Sequence, residues 1–155
     1  MPDNLEALAE MRAASPVAVA AGERLYSKHD FAAAIRQKAA DYLQPDVRYC
    51  GGITELCHIG VLAQAAFLPV APHNVHGLVG TAATLQAAAA MPNAAILEYS
   101  VEQTASARRL FDTPIQFKDG YIEIPQLPGL GIEIDEAQAR RMPFVRRSMI
   151  ESMFE

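Results

Sequence analysis

Four ionisable residues recur along the first hundred positions at nearly even intervals: Glu23, Asp46, His73 and Glu98, separated by 23, 27 and 25 residues. Their types make chemical sense as a set. A glutamate such as Glu23 is a hard oxygen donor of the kind Mg²⁺ prefers. An aspartate beside a histidine fixes the imidazole tautomer and makes it more basic, so Asp46 and His73 are candidates for a proton-transfer dyad. A carboxyl group kept protonated by its surroundings donates a hydrogen bond to a developing oxyanion, the role open to Glu98. Any one of these alone would pass as a solvated loop residue. Four in phase with one structural repeat are expected to meet at one mouth.

The elements that would position them follow the same interval. Short β-rich runs occupy Pro16–Ala20, Tyr42–Asp46, Leu68–His73 and Ala94–Glu98, the length of buried strands in a parallel sheet. Helical patterns lie between them. Leu5 to Ala13 precedes the first run, capped by Asp3 or Asn4. Asp30 is expected to cap Phe31 to Ala40, and Thr54 to cap a helix through Leu56, Ile59, Leu62 and Ala63. Gly80-Thr81 opens an alanine-rich helix to about Ala90, which Met91-Pro92-Asn93 stops. Strand–helix alternation at about 25 residues per unit predicts an α/β fold with a parallel sheet. No glycine fingerprint follows the first strand. A TIM-type barrel needs eight such units; residues 1–100 supply four, half a barrel. Residues 101–155 read as a C-terminal extension, with an edge strand at Tyr121–Pro125, a turn at Pro128–Gly131, Ile132–Ile134, and a short helix at Glu136–Arg141.

In a barrel of this type catalytic groups come from the C-terminal ends of the strands, where all four residues fall. At this point a resemblance becomes specific. Gly22-Glu23-Arg24 after a Pro-Val-Ala-Val strand resembles a metal-ligand motif of the mandelate racemase/muconate lactonizing enzyme group of the enolase superfamily. Gln44-Pro45-Asp46 with Gly51-Gly52-Ile53-Thr54-Glu55 resembles its dyad aspartate and the loop behind it. Ala71-Pro72-His73-Asn74 is similar to the dyad histidine, Leu97-Glu98 to the final-strand glutamate, and Gly120-Tyr121 through Pro128-Gly129-Leu130-Gly131-Ile132-Glu133 to the closing segment of galactonate and gluconate dehydratases.

The resemblance implies the C-terminal half of such a barrel and a sugar-acid dehydratase. Mg²⁺ holds the substrate carboxylate, a base removes the α-proton, and the 3-hydroxyl is eliminated. Glu23 would be the metal ligand, His73 the acid/base oriented by Asp46, and Glu98 a hydrogen-bond partner of the substrate carboxylate. A racemase or cycloisomerase of the same group is the nearest alternative. The group's other two metal carboxylates, its second base and its capping domain have no counterpart in the chain, so it is expected to be inactive alone. A homo-oligomer or a separate N-terminal half would have to complete it. A half-barrel has two open sheet edges and an apolar inner face, so a non-catalytic, self-associating half-barrel is the reading from a different class.

Other residues near the mouth carry weaker expectations. Asn74 and His76, in the loop with His73, could touch substrate; His76 is otherwise a polar loop residue. Arg24 either pairs with a carboxylate at the mouth or braces Glu23. His29 is a loop residue or a substrate contact, Lys28 a surface cation, and His58 structural.

Composition narrows the partners. The chain has 155 residues, 51% hydrophobic and 20% charged, with a formal charge of −5, a globular rather than disordered balance. The one basic concentration, Arg140, Arg141, Arg146 and Arg147, reads as a solvated or ion-paired face, so no nucleic-acid partner is expected. No run approaches the roughly 20 apolar residues of a membrane span, and the acidic start is unlike a signal peptide. Cys50 and Cys57 form no disulfide framework and fit reduced thiols in a cytoplasmic protein. The expected partner is a small acid-sugar substrate.

Overall fold

The computed structural model describes residues 4–75, 77–101, 108–113 and 115–142. Helix α1 (Leu5–Ala14) leads into β1 (Ala20–Ala21), α2 (Lys28–Gln37), β2 (Tyr42–Leu43) and α3 (Ile53–Ala65). An extended segment around Val70 then precedes α4 (Leu78–Ala89), and a second one starts at Ala94. The four extended segments lie side by side in chain order, all parallel: Ala20 pairs Tyr42, Leu43 bridges Val70, and Val70 bridges Ala94. Gln44 N donates to Ala21 O, Ala71 N to Leu43 O and Ala95 N to Val70 O, at 2.8–2.9 Å. The molecule is α/β, with each parallel connection passing through a helix.

The ladder is shorter than the β-rich runs suggest. Pro45, Pro69 and Pro72 carry no N–H and interrupt it. Upstream, Val19 is held by main chain and side chain together, its carbonyl accepting Asp41 N at 2.7 Å and Tyr42 N at 3.2 Å. Asp41 accepts the backbone N–H of Val19 at 2.8 Å and is gripped by Arg12 of α1. That guanidinium, and secondarily the Val19 N–H, hold the Asp41 carboxyl below its usual range. The first strand is Ala20–Ala21, at the end of the run rather than through it.

Helix starts also differ from expectation. Asn4 caps α1, accepting from Ala7 N. Ser27, not Asp30, caps α2. The two form a capping box in which Ser27 accepts from Asp30 N and the Asp30 carboxylate accepts from Ser27 N, reciprocal satisfaction of two orphan N–H groups. Gly52 precedes α3, so Thr54 already lies inside the helix and makes no cap bond. Helix α4 begins at Leu78 after Gly77, two residues ahead of Gly80.

The core gathers Phe31, Leu43, Leu56, Ile59, Val70 and Met91 between helices and ladder. Truncating a buried phenylalanine such as Phe31 typically costs about 3–5 kcal/mol. Gly60 lets the Met91 turn close onto α3, since a Cβ there would lie 2.3 Å from Met91 Sδ. The turn is pinned by Asn93 Nδ2, which donates to Gly60 O and Leu68 O.

The following segment folds onto α4. Antiparallel β4 (Phe117–Lys118) and β5 (Tyr121–Ile122) form a hairpin through Asp119-Gly120, both with positive φ, the turn that Asp-Gly favours. Strand β3 (Phe111–Asp112) pairs with β6 (Glu133–Ile134). Ile115 is wholly buried with Leu78, Ala82 and Leu85, and Phe111, Ile122, Leu130 and Ile132 pack around them. A short helix, Glu136–Arg141, carries an Arg140–Glu136 ion pair at 2.9 Å. Arg146 and Arg147 lie outside the described residues.

Candidate active site

Glu23, Asp46, His73 and Glu98 all follow the C-terminal ends of the parallel segments, and their side chains converge on one imidazole. His73 Nδ1 lies 2.8 Å from Asp46 Oδ2. Its other nitrogen, Nε2, lies 3.1 Å from Glu23 Oε2 and 3.9 Å from Glu98 Oε2. The set is graded by exposure: the Asp46 side chain is 0% accessible, His73 14%, Glu98 43% and Glu23 55%. Orientation comes from within and the open face belongs to the two glutamates.

Local backbone explains each placement. Asp46 and His73 are themselves a parallel bridge pair, with His73 N donating to Pro45 O at 3.2 Å, so adjacent strand ends set the two side chains side by side. Asp46 also opens a turn. Its Oδ1 accepts Arg48 N at 2.8 Å, and its carbonyl accepts Tyr49 N and Cys50 N. A buried carboxylate needs such partners to stay charged. Glu23 sits in a turn closed by Leu25 N to Gly22 O. Gly22 has φ +142°, and a Cβ there would approach Gln44 N to 2.9 Å and Phe31 to 2.8 Å, so only glycine brings Glu23 round the end of β1.

The turn carrying Glu23 and the turn carrying Asp46 are tied together by residues that spacing alone did not single out. Glu55, in the first turn of α3, accepts Lys28 N and Lys28 Nζ, each at 3.1 Å, and lies 3.3 Å from His58 Nδ1. The Lys28 backbone N–H first, then its ammonium and the His58 contact, hold the Glu55 carboxyl down at about 2. Lys28 is thus a brace across two helix N-termini, with His58 beside it on α3. Tyr26 and Tyr49 meet edge to face at 6.2 Å, with the Arg48 guanidinium 5.3 Å from the Tyr49 ring centre. Burial of the Cys50 thiol behind this turn pushes it up to about 11; Cys57 is likewise a free thiol.

The remaining candidates divide. Arg24 is exposed beside Glu23, and His29 is exposed in the first turn of α2 rather than in the preceding loop. His76 lies outside the described residues. Asn74, expected to face substrate, is instead enclosed: its side chain is fully buried and its amide is bonded to Thr81 and to the Glu98 carbonyl.

A Mg²⁺ ion is not accommodated by these residues alone. Among the described residues, no group of three or more His, Cys, Asp or Glu side chains is arranged to hold a metal, and Mg²⁺ demands near-octahedral oxygen ligation. No helix among the described residues is long and apolar enough to cross a membrane.

What the arrangement can do is move a proton. Nδ1 faces Asp46 and Nε2 faces the two glutamates, a setting in which an imidazole can take up and return a proton.

The chain resembles known proteins along most of its length. The chain is 36% identical over 136 residues to D-xylonate dehydratase of Haloferax volcanii, covering 86% of this chain and 32% of that protein. It is 35% identical over 153 residues to D-galactarolactone cycloisomerase of Agrobacterium fabrum, covering 92% and 40%. The crystal structure of a mandelate racemase/muconate lactonizing enzyme from Jannaschia sp. CCS1 superposes with a TM-score of 0.87 at 32% identity, over 96% of this chain and 38% of that one. The chain therefore spans about a third to two fifths of the length of these relatives. The family described as "Enolase C-terminal domain-like" matches residues 1–138, and with the parallel ladder and the His73 cluster in place, the chain belongs to that family.

Proposed function

We propose that this chain forms the C-terminal half of a (β/α) barrel and carries the acid/base half of a sugar-acid dehydratase site. The observation that supports this most is the convergence of Asp46, Glu23 and Glu98 on the two nitrogens of His73. His73 Nε2 takes the α-proton of a carboxylate substrate while Asp46 holds the ring. The negative charge that passes to the substrate carboxylate is met by a hydrogen bond from Glu98. As the enediolate collapses, its electron pair forms the C2–C3 double bond and the 3-hydroxyl departs. The proton on Nε2 goes to that oxygen, releasing water, and the enol product tautomerises to a 2-keto-3-deoxy acid.

Glu23 is proposed as one ligand of a divalent metal, Mg²⁺, with the other ligands, the second base and a cap over the substrate supplied by segments other than the described residues. Arg24 and His76 are proposed at the substrate. The relationship to a cycloisomerase at 35% identity favours a second reading with the same opening proton abstraction and a different second step.

The N-terminal barrel segment of the Haloferax relative, supplied in trans, provides the test. The assembly is assayed against a panel of aldonates and aldarates in the presence of Mg²⁺. A 2-keto-3-deoxy product from at least one acid is expected. A well-assembled barrel that converts none of them overturns the dehydratase reading, and ring closure or opening without loss of water establishes the cycloisomerase one.

A further inference from the structure

Asn74 follows His73 directly, yet its side chain turns into the protein and is 0% accessible. Its Nδ2 donates to the Glu98 carbonyl at 2.9 Å and to the Thr81 hydroxyl at 3.2 Å, and Thr81 Oγ1 returns a hydrogen bond to Asn74 Oδ1 at 3.4 Å. Its backbone N–H donates to Glu98 Oε2 at 3.1 Å. One residue thus holds Glu98 at two points, the main-chain carbonyl and the carboxylate. The oxygen it holds is the one that lies 3.9 Å from His73 Nε2.

Thr81, early in α4, is buried as completely as Asn74. A buried amide is stable only with its donors and acceptor engaged, so the pair fixes itself first and Glu98 second. The distinction matters because Glu98 is 43% accessible. A half-exposed glutamate otherwise samples several rotamers, and a hydrogen bond from a fixed N–H restricts it to one. Simple filling of a strand end would need the side-chain amide on the carbonyl; it would not need the N–H on the carboxylate.

We propose that Asn74, gripped by Thr81, is a positioning residue that sets the Glu98 carboxylate against Nε2 of His73. The inference rests on the reading that His73 and Glu98 act on one substrate. Thr81→Val removes the hydroxyl at nearly constant volume, and Thr81→Ser keeps it.

The test is amide hydrogen exchange on the labelled chain, comparing Asn74 with Ile59, a buried α3 residue that reports general opening. Thr81→Val is expected to speed Asn74 exchange at least tenfold relative to Ile59 and to shift the Glu98 Cδ resonance, and Thr81→Ser to restore both. Asn74 exchange that follows Ile59 in every variant, with Glu98 Cδ unmoved, overturns the proposal. In the enzyme completed by the N-terminal segment, Thr81→Val is expected to lower kcat at least fivefold with KM within twofold, again rescued by serine; an unchanged kcat also overturns it. If the completed enzyme is inactive with native Thr81, the dehydratase reading fails, while the exchange comparison still decides the role of Asn74.

Discussion

Asp46 and His73 are joined twice, once as a parallel backbone bridge and once through Asp46 Oδ2 and His73 Nδ1 at 2.8 Å. The second contact inherits its precision from the first. Adjacent strand ends fix the Cα positions, and the Arg48 N–H on Oδ1 fixes the carboxylate plane. Asp46→Asn keeps the shape but presents an N–H toward Nδ1 and so favours the wrong tautomer. In the completed enzyme it is expected to lower kcat by about 10³–10⁴-fold with little change in the thermal midpoint of the chain. Steady-state kinetics beside a thermal melt check this, and near-native turnover would remove the dyad from the mechanism.

Gly22 makes a prediction about stability that also concerns the site. At φ +142° and with Gln44 N in the way, an alanine meets both backbone strain and overlap. Gly22→Ala is expected to destabilise by about 2–4 kcal/mol and to displace the Glu23 turn. Urea denaturation measures the loss. A change under 1 kcal/mol would mean that the β1–β2 junction is looser than its geometry.

The Glu55 brace gives the chain an acid sensitivity with a definite sign. A carboxyl held at about 2 when folded, against an ordinary 4.5, contributes stability that is fully present above pH 4.5. That contribution is lost as the pH falls toward 2. Asp41, also held low, acts in the same direction. Thermal midpoints should fall across that window, and Glu55→Gln should flatten the fall while lowering stability at pH 7. An equal acid slope in the variant would place the sensitivity elsewhere.

Metal dependence separates the chain from the completed site. Titration calorimetry of Mg²⁺ into the chain alone is expected to give no micromolar binding, since no three-ligand group exists among the described residues. With the N-terminal barrel segment present, binding should appear and Glu23→Gln should abolish it. Micromolar binding to the isolated chain that vanishes in Glu23→Gln would mean that copies of this chain complete the site for one another.

Much of the site was legible in sequence because strand ends recur with the repeat, and a residue's phase in the repeat fixes the mouth it faces. Glu23, Asp46, His73 and Glu98 were found this way, and the structure brings them together. Their roles still rest on chemistry. The inward turn of Asn74 is not legible in its own segment, because its partner, Thr81, lies seven residues on and in the next helix. Ser27 rather than the expected Asp30 caps α2, since Ser-x-x-Asp is a variant of the capping box. The Asp119-Gly120 turn was a local signal for the β4–β5 hairpin, whereas β3–β6 pairing joins residues more than twenty apart and had none. The second and third strands are short because Pro45, Pro69 and Pro72 within those runs carry no ladder donor.

The most direct measurement concerns His73. The chain, completed by the N-terminal barrel segment with Mg²⁺, is incubated in D₂O with sugar acids of the panel, and the α-proton and product are followed by proton NMR. The account predicts loss of the α-proton signal or appearance of the 2-keto-3-deoxy product for at least one acid, and neither with His73→Gln in an equally well assembled protein. Turnover that survives His73→Gln would contradict it, and the base would have to be sought elsewhere in the barrel.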